Sequence, residues 1–310
     1  MEFFHKVPHI NFLGVRKLAM TMSVVVLVAA VASLATRGLN FGVDFTGGVT
    51  VQVGYPASAD LNKVRAALTA GGFENAIAQN YGTPQEVLIR LQTAQGESDK
   101  DAGGKVLAAL QKSEPQVKLL QVNFVGPEVG KDLATKGALA FIITLVAILI
   151  YIIIRFEWRL AVGAVAATLH DVVFVVGFFS LLHIEFDLNV LASVLAVMGY
   201  SVNDTVVVFD RIRENFRKMR KGTPIEIMNA SINDTLSRTI MTSGVTLLVV
   251  IALLALGGPI LHGFSLALFV GIIVGTYSSI YIASATALML GVSKSDLMPV
   301  QKDKVVDDMP

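Results

Sequence analysis

Six long apolar segments constrain the fold of this chain more than any other feature of its sequence. Each comes close to the ~20 residues that a helix needs to cross a hydrocarbon core ~30 Å thick. The composition agrees, because 54% of the 310 residues are hydrophobic and only 16% are charged. We therefore predict a polytopic α-helical membrane protein with six transmembrane helices, at about 18–36, 137–154, 160–182, 188–209, 239–256 and 264–292.

The positions of Lys and Arg predict how these helices are oriented. Three basic residues lie in 1–17, seven in 210–238 and three more after Val292, whereas the short loops at 183–187 and 257–263 contain none. Cytoplasmic loops concentrate basic residues. We therefore expect a cytoplasmic N-terminal segment (1–17), a cytoplasmic loop (210–238) and a cytoplasmic tail (293–310), with residues 37–136 on the outer side.

The first apolar segment has a second interpretation, as a signal peptide. Lys17 precedes it, and the triplet Ala30-Val31-Ala32 resembles a small-residue cleavage site. The apolar stretch is about 19 residues long, however, which exceeds the ~7 to 15 typical of a signal. We expect a retained helix, and in either case residues 37–136 lie outside.

Residues 37–136 have the pattern of one small α+β domain. Val49, Val51 and Val53 alternate with polar residues as in a half-buried strand, and Asp60 is a typical helix N-cap. The predicted elements are strands near 49–53, 76–81, 86–91 and 117–124, with helices after residue 60 and at about 99–112. This β-α-β-β-α-β order predicts a ferredoxin-like domain between the first and second helices. The chain has no Cys, so this domain contains no disulfide.

The motif GVDFTGG just after the first helix is the most distinctive part of this domain. A glycine pair can cradle a phosphate, but no Walker-type Lys follows and the next element is a strand. We interpret the motif as a tight bend that leads into the first strand. We find no nucleophile, base and orienting group in a cluster, and no His between Asn11 and Thr168. We therefore expect no enzyme activity, no cofactor and no metal site.

Four ionisable residues lie at membrane depth: His170, Asp171, Asp204 and Arg238. Such a group costs at least ~2.5 to 3.5 kcal/mol in a transmembrane helix, so it usually has a function. Asp204 is either a proton carrier or a structural group that holds helices together. Arg238 starts the fifth segment on the same inner side, and we expect its long side chain to reach toward Asp204.

Other polar residues near these four support a smaller role. Asn203 and Ser201 lie beside Asp204, while Thr242 and Ser243 lie about one turn beyond Arg238. Each is either a supporting member of a polar site or an ordinary helix-packing group. His170 and Asp171 point about 100° apart on a helix, so they need not form one site. Protonation of His170 near neutral pH would suit a relay.

Several motifs together resemble the SecF family of bacterial protein-export membrane subunits, which are related to resistance-nodulation-division transporters. They occur in order over about residues 10–292: FGVDFTGGV, FVGPEVG at 124–130, RFEWRLA at 155–161, LHDV at 169–172, GYSVNDTVVVFDRIREN at 199–215 and SRTIMTSG at 237–244. The resemblance implies that Asp204 and Arg238 take part in proton coupling. It also identifies a family motif in the outer domain, formed by Asp44, Phe45, Thr46, Gly47 and Gly48.

The same resemblance implies a location and partners. It places the chain in the bacterial inner membrane with one periplasmic domain, as half of a complex with SecD. It further implies association with the SecYEG translocon and YajC, and use of the proton-motive force in late export of unfolded protein chains. The basic residues of 210–238 fit contact with anionic membrane lipid, so we expect no nucleic-acid binding.

Two alternatives follow from the intramembrane carboxylates. An intramembrane aspartyl protease needs two carboxylates that share a proton. Asp171 and Asp204 lie about 16 Å and about 8 Å from the inner ends of their helices, which argues against such a dyad. The other alternative is a non-conducting scaffold subunit, whose polar residues only assemble and stabilise a partner transporter half.

Overall fold

A computed structural model of the chain describes residues 8–74, 76–91, 101–219, 221–293 and 296. In this part of the chain, six helices are long and apolar enough to cross a membrane. The helices are α1 (Arg16–Arg37), α2 (Val43–Thr46), α3 (Leu61–Ala70), α4 (Ala102–Gln111), α5 (Pro127–Arg155), α6 (Trp158–Leu181), α7 (Leu188–Lys218), α8 (Pro224–Leu256), α9 (Gly258–Ser278) and α10 (Ser284–Met289). A π-helical turn, Ser279–Ala283, joins α9 to α10, and a 3₁₀ turn, Phe12–Val15, precedes α1.

The predominantly helical fold with six candidate membrane helices agrees with the sequence prediction, but helix ends differ from it. Helix α7 continues to Lys218 and α8 begins at Pro224, so the connection between them is far shorter than the predicted loop 210–238. A capping box between Thr223 and Glu226 fixes the start of α8. From this cap α8 continues without a break through the predicted loop into the fifth apolar span.

Helix α5 likewise begins ten residues before the predicted start at 137, with Pro127 in its first turn. Residues 1–7 of the predicted N-terminal segment 1–17 and residues 92–100 of the predicted domain 37–136 lie outside the described residues, as does almost all of the tail after Ser293. The start of the helix predicted at 99–112 therefore falls outside the description, and α4 is described from Ala102.

Helices α6, α7 and α9 form the centre of the bundle. Gly271 and Gly275 of α9 face α7 so closely that added Cβ atoms would lie 2.2 Å from Val197 Cγ2 and 3.3 Å from Ser201 Cβ. Small residues at this spacing let two helix backbones approach each other in a membrane. The G-x-x-x-G sequence in the last span thus packs inside this chain, and it brings α9 next to Ser201.

The α+β domain contains one antiparallel sheet of four strands. They are β2 (Gly48–Gly54), β3 (Ile77–Tyr81), β4 (Thr83–Leu91) and β5 (Lys118–Val125), in the order β3-β4-β2-β5. One face of the sheet packs on α3 and α4, where Val51, Ile89, Val64 and Val106 are almost completely buried. Strand β5 forms an edge, and its side chains Leu120 and Phe124 are half exposed.

The GVDFTGG motif forms one helical turn, α2, followed by a bend into β2. Gly47 and Gly48 have φ of 71° and 133°, a region that favours glycine. A Cβ on Gly47 would lie 2.9 Å from Pro127 Cα, and one on Gly48 would lie 2.6 Å from the Leu91 carbonyl oxygen. The motif therefore packs the chain tightly against the start of α5 and the end of β4.

A second, smaller sheet joins the domain to the bundle. Strand β1 (Asn40–Phe41) pairs in parallel with β6 (Glu185–Phe186), which precedes α7. This contact was not predicted, because two-residue strands carry no periodic pattern. It fixes the four-stranded sheet over the end of the bundle at which α7 begins.

We predict that Gly271→Ala destabilises the bundle, because the new methyl group overlaps Val197. Overpacking of this kind costs about 1 to 3 kcal/mol. The midpoint of thermal unfolding in detergent should fall. Gly244→Ala in α8 is the matched control, since a Cβ there meets no atom within 4 Å. An unchanged midpoint for Gly271→Ala would contradict the described α7–α9 contact.

Candidate functional site

Two carboxylates lie inside the helix bundle, Asp171 on α6 and Asp204 on α7. Their exposed fractions are 0% and 6%. A buried carboxylate in a membrane needs donors for its oxygens, because neither water nor lipid supplies them. The geometry of the site is therefore defined by the groups that donate to these two side chains.

Asp204 accepts hydrogen bonds from two hydroxyl groups on two other elements. Thr239 of α8 donates to Oδ1 at 2.7 Å, and Ser279 of the π-helical turn donates to Oδ2 at 2.6 Å. Both donors are buried. Asp204 thus connects α7, α8 and the end of α9 through its two oxygens.

Asp171 has three hydrogen-bonding partners, one more than Asp204. Ser201 of α7 and Ser278 of α9 both donate to Oδ2, the latter at 2.7 Å. His170 Nδ1 lies 2.8 Å from Oδ1. The Nε2 atom of His170 is buried and has no hydrogen-bond partner among the described residues. His170 and Asp171 therefore form a hydrogen-bonded pair. Adjacent helix residues point about 100° apart, so the sequence alone did not predict this contact.

Ser278 and Ser279 link the two carboxylates. They are consecutive in sequence, and one donates to Asp171 while the next donates to Asp204. Ser278, Ser279 and Thr239 were not predicted as site residues, because single hydroxyl groups in an apolar segment usually serve helix packing. The available signal was a pair of adjacent serines in the last span of a chain with two buried carboxylates to satisfy.

Arg238 interacts electrostatically with Asp204 but does not bond to it directly. Its side chain is exposed, and no ion pair or hydrogen bond joins the two side chains among the described residues. The neighbouring residue Thr239 makes the direct contact with Asp204 instead. Asn203 is also exposed, although it is adjacent to the buried Asp204 in α7.

Thr242 and Ser243 have other partners than the Arg238 guanidinium. Thr242 donates back to the Arg238 carbonyl oxygen at 3.0 Å. Ser243 lies 2.8 Å from Thr276 Oγ1 and accepts from the Tyr200 hydroxyl at 2.9 Å. Thr242 therefore bonds within α8, whereas Ser243 joins α8 to α7 and α9.

The family motif at residues 44–48 contacts the start of α7. Asp44 Oδ2 accepts from the Leu188 amide at 3.1 Å, and Asp187 Oδ1 accepts from the Val190 amide at 2.7 Å. Carboxylates at this position satisfy free amides of the first turn and interact favourably with the helix dipole. The Phe45 ring stacks on Phe186, with centroids 6.4 Å apart. Thr46 donates locally, to the Gly42 and Gly47 carbonyl oxygens.

A polar layer lies between the sheet and the bundle, around a cavity of about 140 Å³. Arg90 of β4 pairs with Glu185 at 2.8 Å and donates to Asn40 and to the Phe41 carbonyl oxygen. Burial raises the pKa of Glu185 despite this partner. Burial also raises the pKa of Asp187 to about 6, and the nearby carboxylates Glu185 and Asp44 act in the same direction.

Comparison with known proteins shows the family of the chain. The family profile described as "Protein export membrane protein SecD/SecF, C-terminal" matches residues 105–293, and the "SecD/SecF GG Motif" matches residues 32–55. The chain belongs to the SecD/SecF family. The GG motif of this family coincides with the α2 bend, and the C-terminal profile covers every polar residue of the bundle site described above.

Curated relatives within the SecD/SecF family match nearly the whole chain. The protein translocase subunit SecF of Vibrio alginolyticus is 50% identical over 305 residues, which is 97% of both chains. The subunit of the same name from Pseudomonas aeruginosa is 46% identical over 98% of this chain and 99% of the relative.

Solved structures of a longer relative share the fold. The crystal structure of SecDF, a translocon-associated membrane protein from Thermus thermophilus, matches with a TM-score of 0.82 and 38% identity. The match covers 91% of this chain and 39% of the solved chain. SecDF in a super-membrane-facing form matches with a TM-score of 0.69 and 37% identity, again over 39% of its length.

We predict that the folded state of this SecD/SecF family member is less stable above pH 6 than below it, partly because of Asp187. Its folded pKa of about 6 exceeds the ordinary value of 3.8, so only the folded chain holds a proton between these values. Its contribution to the free energy of unfolding therefore falls as the pH rises through this window.

Thermal unfolding in detergent at about pH 5 and pH 8 tests this expectation. Asp187→Asn keeps an acceptor for the Val190 amide and should shrink the difference between the two midpoints by raising the value at pH 8. Asp60→Asn is the matched control, since Asp60 is an exposed N-cap of α3. An equal pH dependence in Asp187→Asn and the native chain would refute the role of Asp187.

Proposed function

We propose that the chain acts as the SecF half of a SecD–SecF complex that uses the proton-motive force to promote late steps of protein export. The observation that carries this proposal is Asp204, a buried carboxylate bonded by hydroxyl groups from two other helical elements. A carboxylate in a membrane bundle is costly to retain unless it has a function. Membership of the SecD/SecF family supports export as that function.

The proposed chemistry is reversible protonation of Asp204, without a cofactor or a catalysed bond change. When ionised, Asp204 accepts from both Thr239 and Ser279. When it gains a proton, one oxygen becomes a donor and one hydroxyl must turn away. One proton that crosses 100 mV supplies about 2.3 kcal/mol, enough to shift a two-state equilibrium about fiftyfold.

The exposed polar side chains at membrane depth support SecD as the partner. Arg238 and Asn203 point away from the core of this chain. Polar groups in a membrane normally face protein or a water-filled cavity, so a second helical bundle is the expected neighbour of this surface. We propose that Arg238 completes the coupling site there, in contact with SecD or, in another conformation, with Asp204. Asn203, Asp171, His170 and Ser201 would then support the same polar site.

Helix α7 provides a direct mechanical connection between Asp204 and the outer domain. It is one continuous helix of 31 residues whose first turn is held by Asp44 of the GG motif. A movement of α7 at Asp204 would therefore move the Asp44 contact and the sheet above it. This connection supports a cycle in which protonation changes the position of the domain that meets the exported chain.

The proposed topology follows from the basic loops. Both termini and the α7–α8 connection lie in the cytoplasm, and the domain at 37–136 lies in the periplasm of a bacterial inner membrane. The strand order β3-β4-β2-β5 supports a ferredoxin-like class for this domain. Its half-exposed apolar edge, β5, supports contact with SecD or with an unfolded translocating chain. SecYEG and YajC are proposed as further partners from the family resemblance.

The competing function is that of a scaffold, and one observation favours it. Both carboxylates have hydroxyl donors on neighbouring helices, which is also the arrangement that would hold a bundle together. In that case Asp204→Asn should be silent, since an amide still accepts from Thr239. The two functions thus make opposite predictions for the same variant.

We predict that Asp204→Asn abolishes the gradient-dependent part of translocation, because an amide cannot exchange a proton. The measurement is completion of protein translocation in inverted membrane vesicles that contain SecD and either form of the chain, with and without an imposed proton gradient. Native-gel electrophoresis checks assembly with SecD. Full retention of gradient-dependent translocation in an assembled complex would contradict the proposal and favour the scaffold function.

A further inference from the structure

The hydroxyl groups of Ser278 and Ser279 each have two acceptors. Ser279 Oγ lies 2.6 Å from Asp204 Oδ2 and 3.0 Å from the Thr276 carbonyl oxygen. Ser278 Oγ lies 2.7 Å from Asp171 Oδ2 and 3.1 Å from the Gly275 carbonyl oxygen. A hydroxyl group has one proton to donate. Each serine is therefore a donor with two positions, one on a carboxylate and one on the backbone of α9.

The backbone at this point is the irregular part of the last span. Ser278 ends α9, and Ser279 begins the π-helical turn. Ser284 donates to the Ser279 carbonyl oxygen at 3.2 Å. Short π-helical turns inside helices occur frequently at functional sites, because the widened turn leaves backbone groups that can change partners. Both serines thus lie where the helix has an alternative hydrogen-bond pattern.

We propose that Ser278 and Ser279 are positioning residues that couple the protonation of Asp204 to that of Asp171 through the π-helical turn. When Asp204 Oδ2 takes a proton from hydronium supplied by the aqueous phase, which leaves as water, the new O–H donates to Ser279 Oγ. The Ser279 O–H then rotates to the Thr276 carbonyl oxygen, and no proton leaves the serine. The turn shifts with it, and the Ser278 O–H moves from Asp171 to the Gly275 carbonyl oxygen.

The consequence is cooperative proton uptake by the two carboxylates. Asp171 loses one donor and keeps Ser201 and His170. A carboxylate with fewer donors accepts a proton more readily, and this proton again comes from hydronium of the aqueous phase. Direct electrostatic interaction has the opposite effect, because neutralising Asp204 removes a negative charge whose presence favours protonation of Asp171. The sign of the coupling therefore distinguishes the serine pathway from simple charge repulsion.

The test measures protonation of Asp171 chemically. N,N′-dicyclohexylcarbodiimide modifies protonated carboxyl groups in apolar surroundings, and mass spectrometry of peptides locates the modified residue. Vesicles contain the full chain with SecD. Residue 204 is either Asp or Asn, since Asn presents the acceptor and donor of a protonated Asp. We expect Asp204→Asn to accelerate modification of Asp171 about twofold or more, as residues in one hydrogen-bond network interact measurably.

Serine variants test whether this acceleration depends on Ser278 and Ser279. Ser278→Ala and Ser279→Ala, each combined with Asp or Asn at position 204, should remove or reverse the acceleration. Ser265→Ala should leave it unchanged, because Ser265 is a fully buried serine of the same helix whose Oγ bonds no described residue. Native-gel electrophoresis with SecD identifies any variant that fails to assemble, and two independent serine variants keep the test decisive.

This inference rests on the proposed proton transport, and the two fail in different ways. Slower modification of Asp171 in Asp204→Asn, or acceleration that persists in both serine variants, would overturn the coupling and leave proton transport intact. Gradient-dependent translocation that survives Asp204→Asn would instead overturn proton transport. Acceleration that is lost in Ser278→Ala and Ser279→Ala but kept in Ser265→Ala supports the coupling.

Discussion

The cost of burying a carboxylate inside a membrane bundle is the constraint on which the rest of this structure depends. Asp171 and Asp204 are almost inaccessible, so their oxygens need donors from the protein itself. Those donors come from four different elements: α6, α7, α8 and the junction of α9 with the π-helical turn. The need to satisfy two carboxylates thereby determines which faces of the central helices meet.

The close approach of α9 to α7 serves the same need. Gly271 and Gly275 have no side chains, so Val197 and Ser201 of α7 pack directly on the backbone of α9. Without that approach, Ser278 and Ser279 of the last span would not reach carboxylates on α6 and α7. Helix α7 then carries the site outward to the GG motif, where Asp44 holds its first turn. The α7–α9 packing, the hydrogen bonds to the two carboxylates and the contact of α7 with the sheet domain therefore depend on one another.

The sequence predicted the parts of the fold that depend on long apolar segments. Six candidate membrane helices follow from segment length, because a helix that crosses a bilayer must be apolar for ~20 residues. Helix ends were less predictable. Charged residues after Phe209 suggested a loop, whereas ion pairs such as Arg211–Glu214 let the charged segment continue α7 beyond the apolar part.

The candidate site was predictable only in part. The carboxylates Asp171 and Asp204 were found because a charge in an apolar segment is conspicuous. Their donors were not found, because Thr239, Ser278 and Ser279 resemble the packing residues of any membrane helix. Arg238 was singled out as a charge near Asp204 and does interact with it electrostatically, but the direct hydrogen bond comes from its neighbour Thr239.

The central claim is that Asp204 exchanges protons during the working cycle. Its most direct test is proton flux into liposomes that contain SecD and this chain, followed with an internal pH-sensitive dye after a gradient is imposed. We predict a proton flux above that of empty liposomes. Asp204→Asn should reduce this flux to the level of empty liposomes, and Asp204→Glu should retain part of it. Equal flux in the native and Asp204→Asn complexes would contradict this claim.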